Sequence, residues 1–402
     1  MSVERPASRV PVRSSVPLRI ALYSHDTCGL GHFRRNLLIA RALRASLNAN
    51  VLLVSGIREA GSFPVEEGID TLHLPALAKA GNLKYRPRRL DIGLERLVRL
   101  RSDAVFAALM AFRPDAFVVD NVPLGAVGEL ERSLRSLRSE GRTYTVLGMR
   151  DVLDTPQNVH REWLRPDNAA AIRDLYDSVW IYGDPDVFDV VREYDFPGDI
   201  SRKTRFTGYL NPLAMVRERE RTGVRGDEHP EVCLVGGGHA GAKLASTFAD
   251  ACTISGCQGL VLTGPFMDAE SADRLAHHPN VSVRRFEADP IPLYRSARSV
   301  VSMGGYNTTL ELLALGKHAL IVPRVRPREE QLVRAEALNR RGLVDLLHPE
   351  KMTSDRIAAW LAADRTHHVT TRPSINMNGL ASIVSDLSQL AGPHRSHTAL
   401  AG

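Results

Sequence analysis

The stretch Ser-Val-Val-Ser-Met-Gly-Gly-Tyr-Asn-Thr-Thr-Leu-Glu-Leu-Leu-Ala-Leu-Gly-Lys-His-Ala-Leu-Ile-Val-Pro, residues 299–323, leaves this chain little choice of fold. A short β-branched run ends at Met303-Gly304-Gly305, and a helix is expected to open at Thr308-Thr309 and close at Gly316. A second apolar run, His318 to Val322, stops at Pro323. Two short apolar runs joined through a helical pattern form a strand–turn–helix–strand unit, the crossover that parallel strands require. In an open α/β sheet, ligands sit in the crevice beyond the carboxyl ends of the strands, and a glycine turn that feeds a helix presents unpaired N–H groups to phosphate. Gly304-Gly305 is therefore a candidate phosphate cradle, with Asn307 and Thr308 beside it.

The same alternation runs through the rest of the chain. Leu18 to Ser24, Val51 to Ser55, Ala116 to Val119, Tyr144 to Met149, Val179 to Tyr182 and Thr204 to Phe206 read as strands. Helical patterns lie between them, among them Phe33 to Leu47, Leu94 to Phe112 and Gly125 to Glu140. The pattern breaks at Gly208-Tyr209-Leu210-Asn211-Pro212 and restarts with Glu231 to Val235. The helix Lys243 to Ile254 follows, then the strands Gly259 to Thr263, Val281 to Arg285, Ser299 to Ser302 and His318 to Val322. Strand–helix alternation on this scale predicts two doubly wound parallel sheets in tandem. The divisions expected are a tail, 1–16; an N-terminal Rossmann-like domain, 17–211; a charged linker, 212–228; a second domain, 229–375; a helix within 374–390, with 376–391 assigned as a segment that returns to the first domain; and a tail, 392–402.

Bulk properties narrow the class. The chain has 402 residues, 44% hydrophobic and 24% charged, enough for two domains with cores of their own. No run approaches the ~18 apolar residues of a membrane span. Residues 1–17 carry Arg5, Arg9 and Arg13 without an apolar stretch behind them, so a cytoplasmic protein is expected. The four cysteines show neither metal-ligand spacing nor the density of a disulfide scaffold. The net charge of +6 is concentrated in Lys84-Tyr85-Arg86-Pro87-Arg88-Arg89 and in Arg96, Arg99 and Arg101 on the following helix. Such a segment can be a solvated helix face, or can meet a phosphorylated acceptor or the anionic inner face of a membrane. No nucleic-acid partner is expected.

Two more glycine turns follow the first strand of each half. Gly236-x-Gly238-x-x-Gly241 fits a dinucleotide pattern, but the strand that should end in an acidic residue about 20 positions on ends in Leu262-Thr263-Gly264. Gly241-Ala242-Lys243 likewise lacks the Gly-Lys-Ser/Thr of a P-loop. Gly29-Leu30-Gly31-His32 places a histidine on the first helical turn, where it either takes a proton at the crevice or caps its helix. His25 and Asp26 stand close by, and Asp120 and Asp151 are further candidate bases.

These turns, in this order, resemble the inverting GT-B-fold glycosyltransferases, above all glycosyltransferase family 28, the UDP-N-acetylglucosamine transferases of peptidoglycan lipid-intermediate synthesis. The resemblance implies a GT-B fold, two Rossmann-like domains facing a central cleft. It implies that Gly31, Gly237, Gly238, Gly304, Gly305, Asn307 and Thr308 lie on the donor side, and that Phe286-Glu287 meets the uracil. Glu311 would hold the ribose hydroxyls, Glu330-Gln331 would read the sugar, and His32 or Asp26 would serve the acceptor's proton. Each role has a plainer counterpart: Thr308-x-x-Glu311 is also a capping box, Glu330-Gln331 is also an ordinary polar helix start, and Phe286 is also a core residue. No metal and no cofactor beyond the UDP-sugar co-substrate is expected, because helix N-termini and basic residues can hold a leaving diphosphate. The sugar expected is N-acetylglucosamine or a related hexose, and the acceptor is either lipid-linked or a small natural product. A UDP-sugar hydrolase of the same architecture, or a non-catalytic nucleotide-sugar-binding regulator, would carry the same pattern.

Overall fold

The computed structural model describes residues 16–25, 30–79, 85–215, 230–236, 241–264, 267–287, 289–363 and 374–391. In the N-terminal part the elements are β1 (Arg19–Ser24), α1 (Gly31–Leu47), β2 (Asn50–Ser55), β3 (Ile69–His73), β4 (Leu77–Lys79), β5 (Tyr85–Pro87), α2 (Leu94–Phe112), β6 (Ala116–Asp120), α3 (Glu131–Glu140), β7 (Tyr144–Arg150), α4 (Pro166–Leu175), β8 (Ser178–Tyr182) and β9 (Thr204–Phe206). Seven of these strands form one sheet in the order β3-β2-β1-β6-β7-β8-β9, every neighbouring pair parallel. β4 and β5 pair separately as an antiparallel hairpin. Every residue of β6 and β8 is buried, as strands covered by helices on both faces must be.

The second part contains β10 (Glu231–Leu234), α5 (Ala242–Ser255), β11 (Gly259–Leu262), α6 (Ala269–Ala276), β12 (Val281–Arg284), α7 (Ile291–Ser296), β13 (Val300–Ser302), α8 (Tyr306–Ala314), β14 (Ala319–Ile321), α9 (Glu330–Arg340), β15 (Asp345–Leu346), α10 (Ser354–Ala362) and α11 (Gly379–Ser388). Its six strands run β12-β11-β10-β13-β14-β15, again all parallel. Both sheets are thus doubly wound. Their strand order reverses between β1 and β6 in the first and between β10 and β13 in the second, the topological switch points where such sheets bind ligands.

The structure corrects several expectations. The helix read from Gly125 starts only at Glu131, because Gly125 and Gly128 turn the backbone with φ of 82° and 83°. The helix read from Ser374 starts at Gly379; before it, Leu210 and Asn378 form a bridge and Tyr209 N–H donates to Asn376 O at 2.7 Å. α11 then packs on α1, which carries the end of the chain back to the first domain. β3 was not foreseen; Ile69-Asp-Thr-Leu-His buries only its first residue fully, as an edge strand does. The basic stripe is also narrower than its sequence. Arg101 is fully buried, with its guanidinium on Glu129 at 2.7 Å, so it belongs to the fold rather than to a cationic face. Lys84 lies outside the described residues. No described helix is long and apolar enough to cross a membrane.

Candidate active site

α1 opens directly after the N-terminal glycine turn, and its hydrophobic spacing buries Phe33, Leu37, Ala40 and Leu43 against the sheet. That rotation puts His32 and Arg35 at the β1–β6 switch point, where β6 ends in Asp120. Asp120 is fully buried and accepts from Arg35 Nη2 at 2.6 and 2.7 Å. It also holds His32 Nδ1 in a short hydrogen bond. Arg35 Nη2 also stands 2.9 Å from His32 Nδ1, but an ionised Asp120 can only accept, so the neutral tautomer that keeps the bond to Asp120 carries its proton on Nδ1 and leaves Nε2 as the acceptor. Among the described residues Nε2 has no hydrogen-bond partner. Burial alone would raise the Asp120 carboxyl, but Arg35 and His32 outweigh it and hold the group well below the usual carboxylate range.

His25 lies against His32, with ring centroids 4.3 Å apart. Burial, then the neighbouring His32, push the His25 imidazole well below its ordinary value. His25, His32 and Asp120 could place ligand atoms within 4.8 Å of one another around a metal ion. The guanidinium of Arg35 already occupies Asp120, and a dication would meet that charge at close range, so the donor set fits a proton-handling site better than a metal site.

The C-terminal turn faces this group. Gly304 has φ of 71°, and a Cβ there would meet Ile321 Cγ2 at 2.6 Å; Gly305 caps α8 with open space where its Cβ would be. α8 opens at Tyr306, two residues earlier than expected, and no side chain caps it. Thr308 is therefore inside the helix and Glu311 lies on the second turn, too far along to close a capping box. Asn307 Nδ2 donates to Gly31 O at 3.0 Å, and Arg34 donates to Glu311 Oε1 at 2.6 Å, so the two glycine turns touch across the domains. Glu311 is 3% exposed, and its Oε2 is buried without a partner. Burial raises its carboxyl, with Arg34 and the Tyr294 hydroxyl offsetting part of the effect.

Behind the two turns the domains are joined by buried contacts that the sequence did not announce. Arg334 on α9 pairs with Asp151 at 2.8 Å, both 1–2% exposed, and Tyr306 donates to Tyr182 O at 2.7 Å. Tyr306 lies between two cations, with Arg35 and Arg334 each 5.4 Å from its ring centre. Arg328 reaches Asp154 at 3.2 Å and Glu162 at 2.6 Å.

The remaining expected site residues are dispersed. Glu330 begins α9 but is 5% exposed rather than solvated; its Oε1 accepts from Arg324 at 2.7 Å and its Oε2 has no partner. Gln331 Oε1 accepts from Arg324 N–H at 2.9 Å, so the polar pair shapes the loop that precedes it. Phe286 is 48% exposed, which removes the core reading, and Glu287 beside it is half-buried. Asp26, Gly237 and Gly238 lie outside the described residues. The sequence offers Asp120 as an alternative base rather than as the partner of His32; the signal for the pairing is an acid closing an apolar strand at the switch point. Arg34, Arg35 and Arg334 gave no such signal, since arginines on a helix look alike in sequence whether they face solvent or a partner domain.

Two parallel doubly wound domains that meet through their switch points define a GT-B-fold protein. Residues 232–387 match the glycosyltransferase family 28 C-terminal domain, so the chain is a GT-B protein with a family 28-like second half. Similar solved structures include the glycotransferase of kitacinnamycin, 18% identical with a TM-score of 0.57 over 95% of this chain and 98% of the other. MurG of Acinetobacter baumannii is 14% identical with a TM-score of 0.58, over 93% and 100%. The UDP-GlcNAc 2-epimerase of Neisseria meningitidis, bound to UDP-GlcNAc, is 14% identical with a TM-score of 0.59, over 93% and 100%. No curated protein matches the sequence.

Proposed function

We propose that this protein is an inverting, metal-independent glycosyltransferase that moves a hexose, N-acetylglucosamine or a relative of it, from a UDP-sugar to an acceptor hydroxyl. The observation that carries the reading is the His32–Asp120 pair set opposite the Gly304-Gly305 turn and Glu311. A nucleophile's proton needs a base, and the base needs a third group to fix its tautomer and bear its charge. Asp120 supplies that group. In the transfer, His32 Nε2 takes the proton from the acceptor oxygen as that oxygen bonds to the anomeric carbon. The bond from that carbon to the diphosphate oxygen breaks on the opposite face, and UDP leaves with the electron pair.

The N-terminus of α8 faces the crevice with unpaired N–H groups, a fit for the growing diphosphate charge. Glu311 Oε2, buried and unpartnered, suits a ribose hydroxyl as its donor. The family 28 match supports a sugar-transfer chemistry, and the sequence supports a cytoplasmic setting. The epimerase among the similar folds makes a donor-only incubation the deciding experiment. With UDP-N-acetylglucosamine alone, a transferase binds UDP tightly and releases it slowly or not at all. Rapid acceptor-free release of UDP and free sugar would make the protein a hydrolase, conversion to the 2-epimer an epimerase, and absence of binding a regulator.

A further inference from the structure

Arg150 is the last residue of β7, one strand over from Asp120 at the end of β6. It is half-buried, its Nε is shut off from water, and among the described residues the guanidinium has no hydrogen-bond or ion-pair partner. The other cations of the cleft all have one. Arg35 is held by Asp120, Arg334 by Asp151, Arg34 by Glu311 and Arg324 by Glu330. A buried cation without an anion is costly, and such groups are ordinarily paired. The cost here is visible: burial, then the charges of Arg334 and Arg35, pull the Arg150 guanidinium down to about 10, with Glu330 and Asp120 restoring only part. Those four neighbours come from both domains, so Arg150 stands on the seam, between the base pair on one side and α9 on the other.

We propose that Arg150 is a specificity residue for an oxyanion, a carboxylate or a phosphate group, carried by one of the two reacting substrates beside the reaction centre. This rests on the transferase reading of the cleft and adds to it a charge on the substrate. An ammonium or a neutral sugar would leave Arg150 as it stands, whereas a carboxylate or phosphate can take its planar fork of donors in two parallel bonds. The anion belongs either to the acceptor or to the donor's sugar ring. The diphosphate is a weaker match, because the N-terminus of α8 faces it from the other side of the crevice.

The test uses the full chain and the variants Arg150→Gln and Arg150→Lys. UDP should bind all three alike. Calorimetric titration of the UDP-saturated protein with inorganic phosphate should show binding that weakens at least ~10-fold in Arg150→Gln and is largely kept in Arg150→Lys, if the anion belongs to the acceptor. If it belongs to the donor, UDP-glucuronate should bind the wild type more tightly than UDP-glucose, and Arg150→Gln should erase the preference. Thermal stability of Arg150→Gln should equal or exceed that of the wild type, since a half-buried charge with no partner among the described residues, set beside Arg334 and Arg35, has been removed. Phosphate and glucuronate binding both indifferent to Arg150→Gln would overturn the assignment, as would a marked fall in its stability or an equal loss of UDP affinity. Failure of the wild type to bind UDP would instead strike the transferase reading.

Discussion

The two glycine turns look alike in sequence, each a break between a parallel strand and a helix, yet the structure finishes them differently. At the N-terminal turn the acid is saturated: Asp120 meets Arg35 through both oxygens and His32 through one. At the C-terminal turn the acid is less fully used: Arg34 holds Glu311 Oε1, the Tyr294 hydroxyl lies near enough to act on the carboxyl, and Oε2 has no close donor among the described residues. A saturated carboxylate orients its neighbour and offers nothing to a ligand. A half-satisfied one has a vacancy that a ligand can fill. On the transferase reading proposed above, the difference would divide the work of the cleft, with proton handling on the first domain and donor recognition on the second.

The largest expected effect comes from removing the oriented base. His32→Ala should lower kcat by about 10²–10⁴-fold, the usual contribution of a general base, and leave UDP affinity nearly intact, because His32 meets the donor only from the acceptor side. Steady-state kinetics with an accepted substrate, paired with UDP calorimetry, checks both halves. An equal loss of UDP affinity would turn His32 into a phosphate ligand and dissolve the division. Full activity would leave the histidine as part of the helix start, with Asp26 next in line; Asp151, another candidate in the sequence, is buried and committed to Arg334 and Tyr209.

Glu311→Gln should cost less, roughly 1.5–3 kcal/mol of UDP binding, or ~10- to 150-fold in Kd, since a charge-assisted acceptor is weakened. The capping role that would have made this substitution silent is removed by the start of α8 at Tyr306. What remains against the ribose role is a purely structural one, anchoring Arg34 across the domains. In that case Glu311→Gln and Arg34→Gln would lower the thermal midpoint together and leave UDP affinity where it was.

How far this division could be read from the sequence depends on what kind of signal each half leaves. Parallel sheets write themselves into the chain as short buried runs, and β6, β7 and β8 were read to within a residue or so at each end. Glycines with positive φ, such as Gly304, mark the turns for the same local reason. α8 itself began earlier than read, because Gly305, without a capping side chain, can serve as the N-cap where Thr308 had the more familiar chemistry. The charge pairs were illegible. Asp120 and His32 lie 88 positions apart and Arg34 and Glu311 lie 277 apart, and only the packing of two domains decides that these meet. Arg101 makes the point in reverse, a member of a basic run that the fold buries on Glu129.

The smallest effect separates the turns by pH. His25, packed on His32, has its native value depressed by burial first and then by His32, Lys79 and Arg150, with Asp120 opposing. The unfolded chain takes up a proton near pH 6.5 that the native state refuses, so stability is full above that pH and falls as pH drops through it, by at most about 1.4 kcal/mol per pH unit. Glu311 has the opposite sign. Its native value is raised by burial, so its contribution is most favourable below the unfolded value near 4.5 and declines as pH rises through the native one. Between pH 7 and pH 5, therefore, the N-terminal turn should lose stability while the C-terminal turn holds or gains. His25→Gln should flatten the fall in thermal midpoint over that window, and Glu311→Gln should leave the fall in place. Parallel loss in wild type and His25→Gln would place the titrating group elsewhere and remove proton sensitivity from the contrast between the two turns.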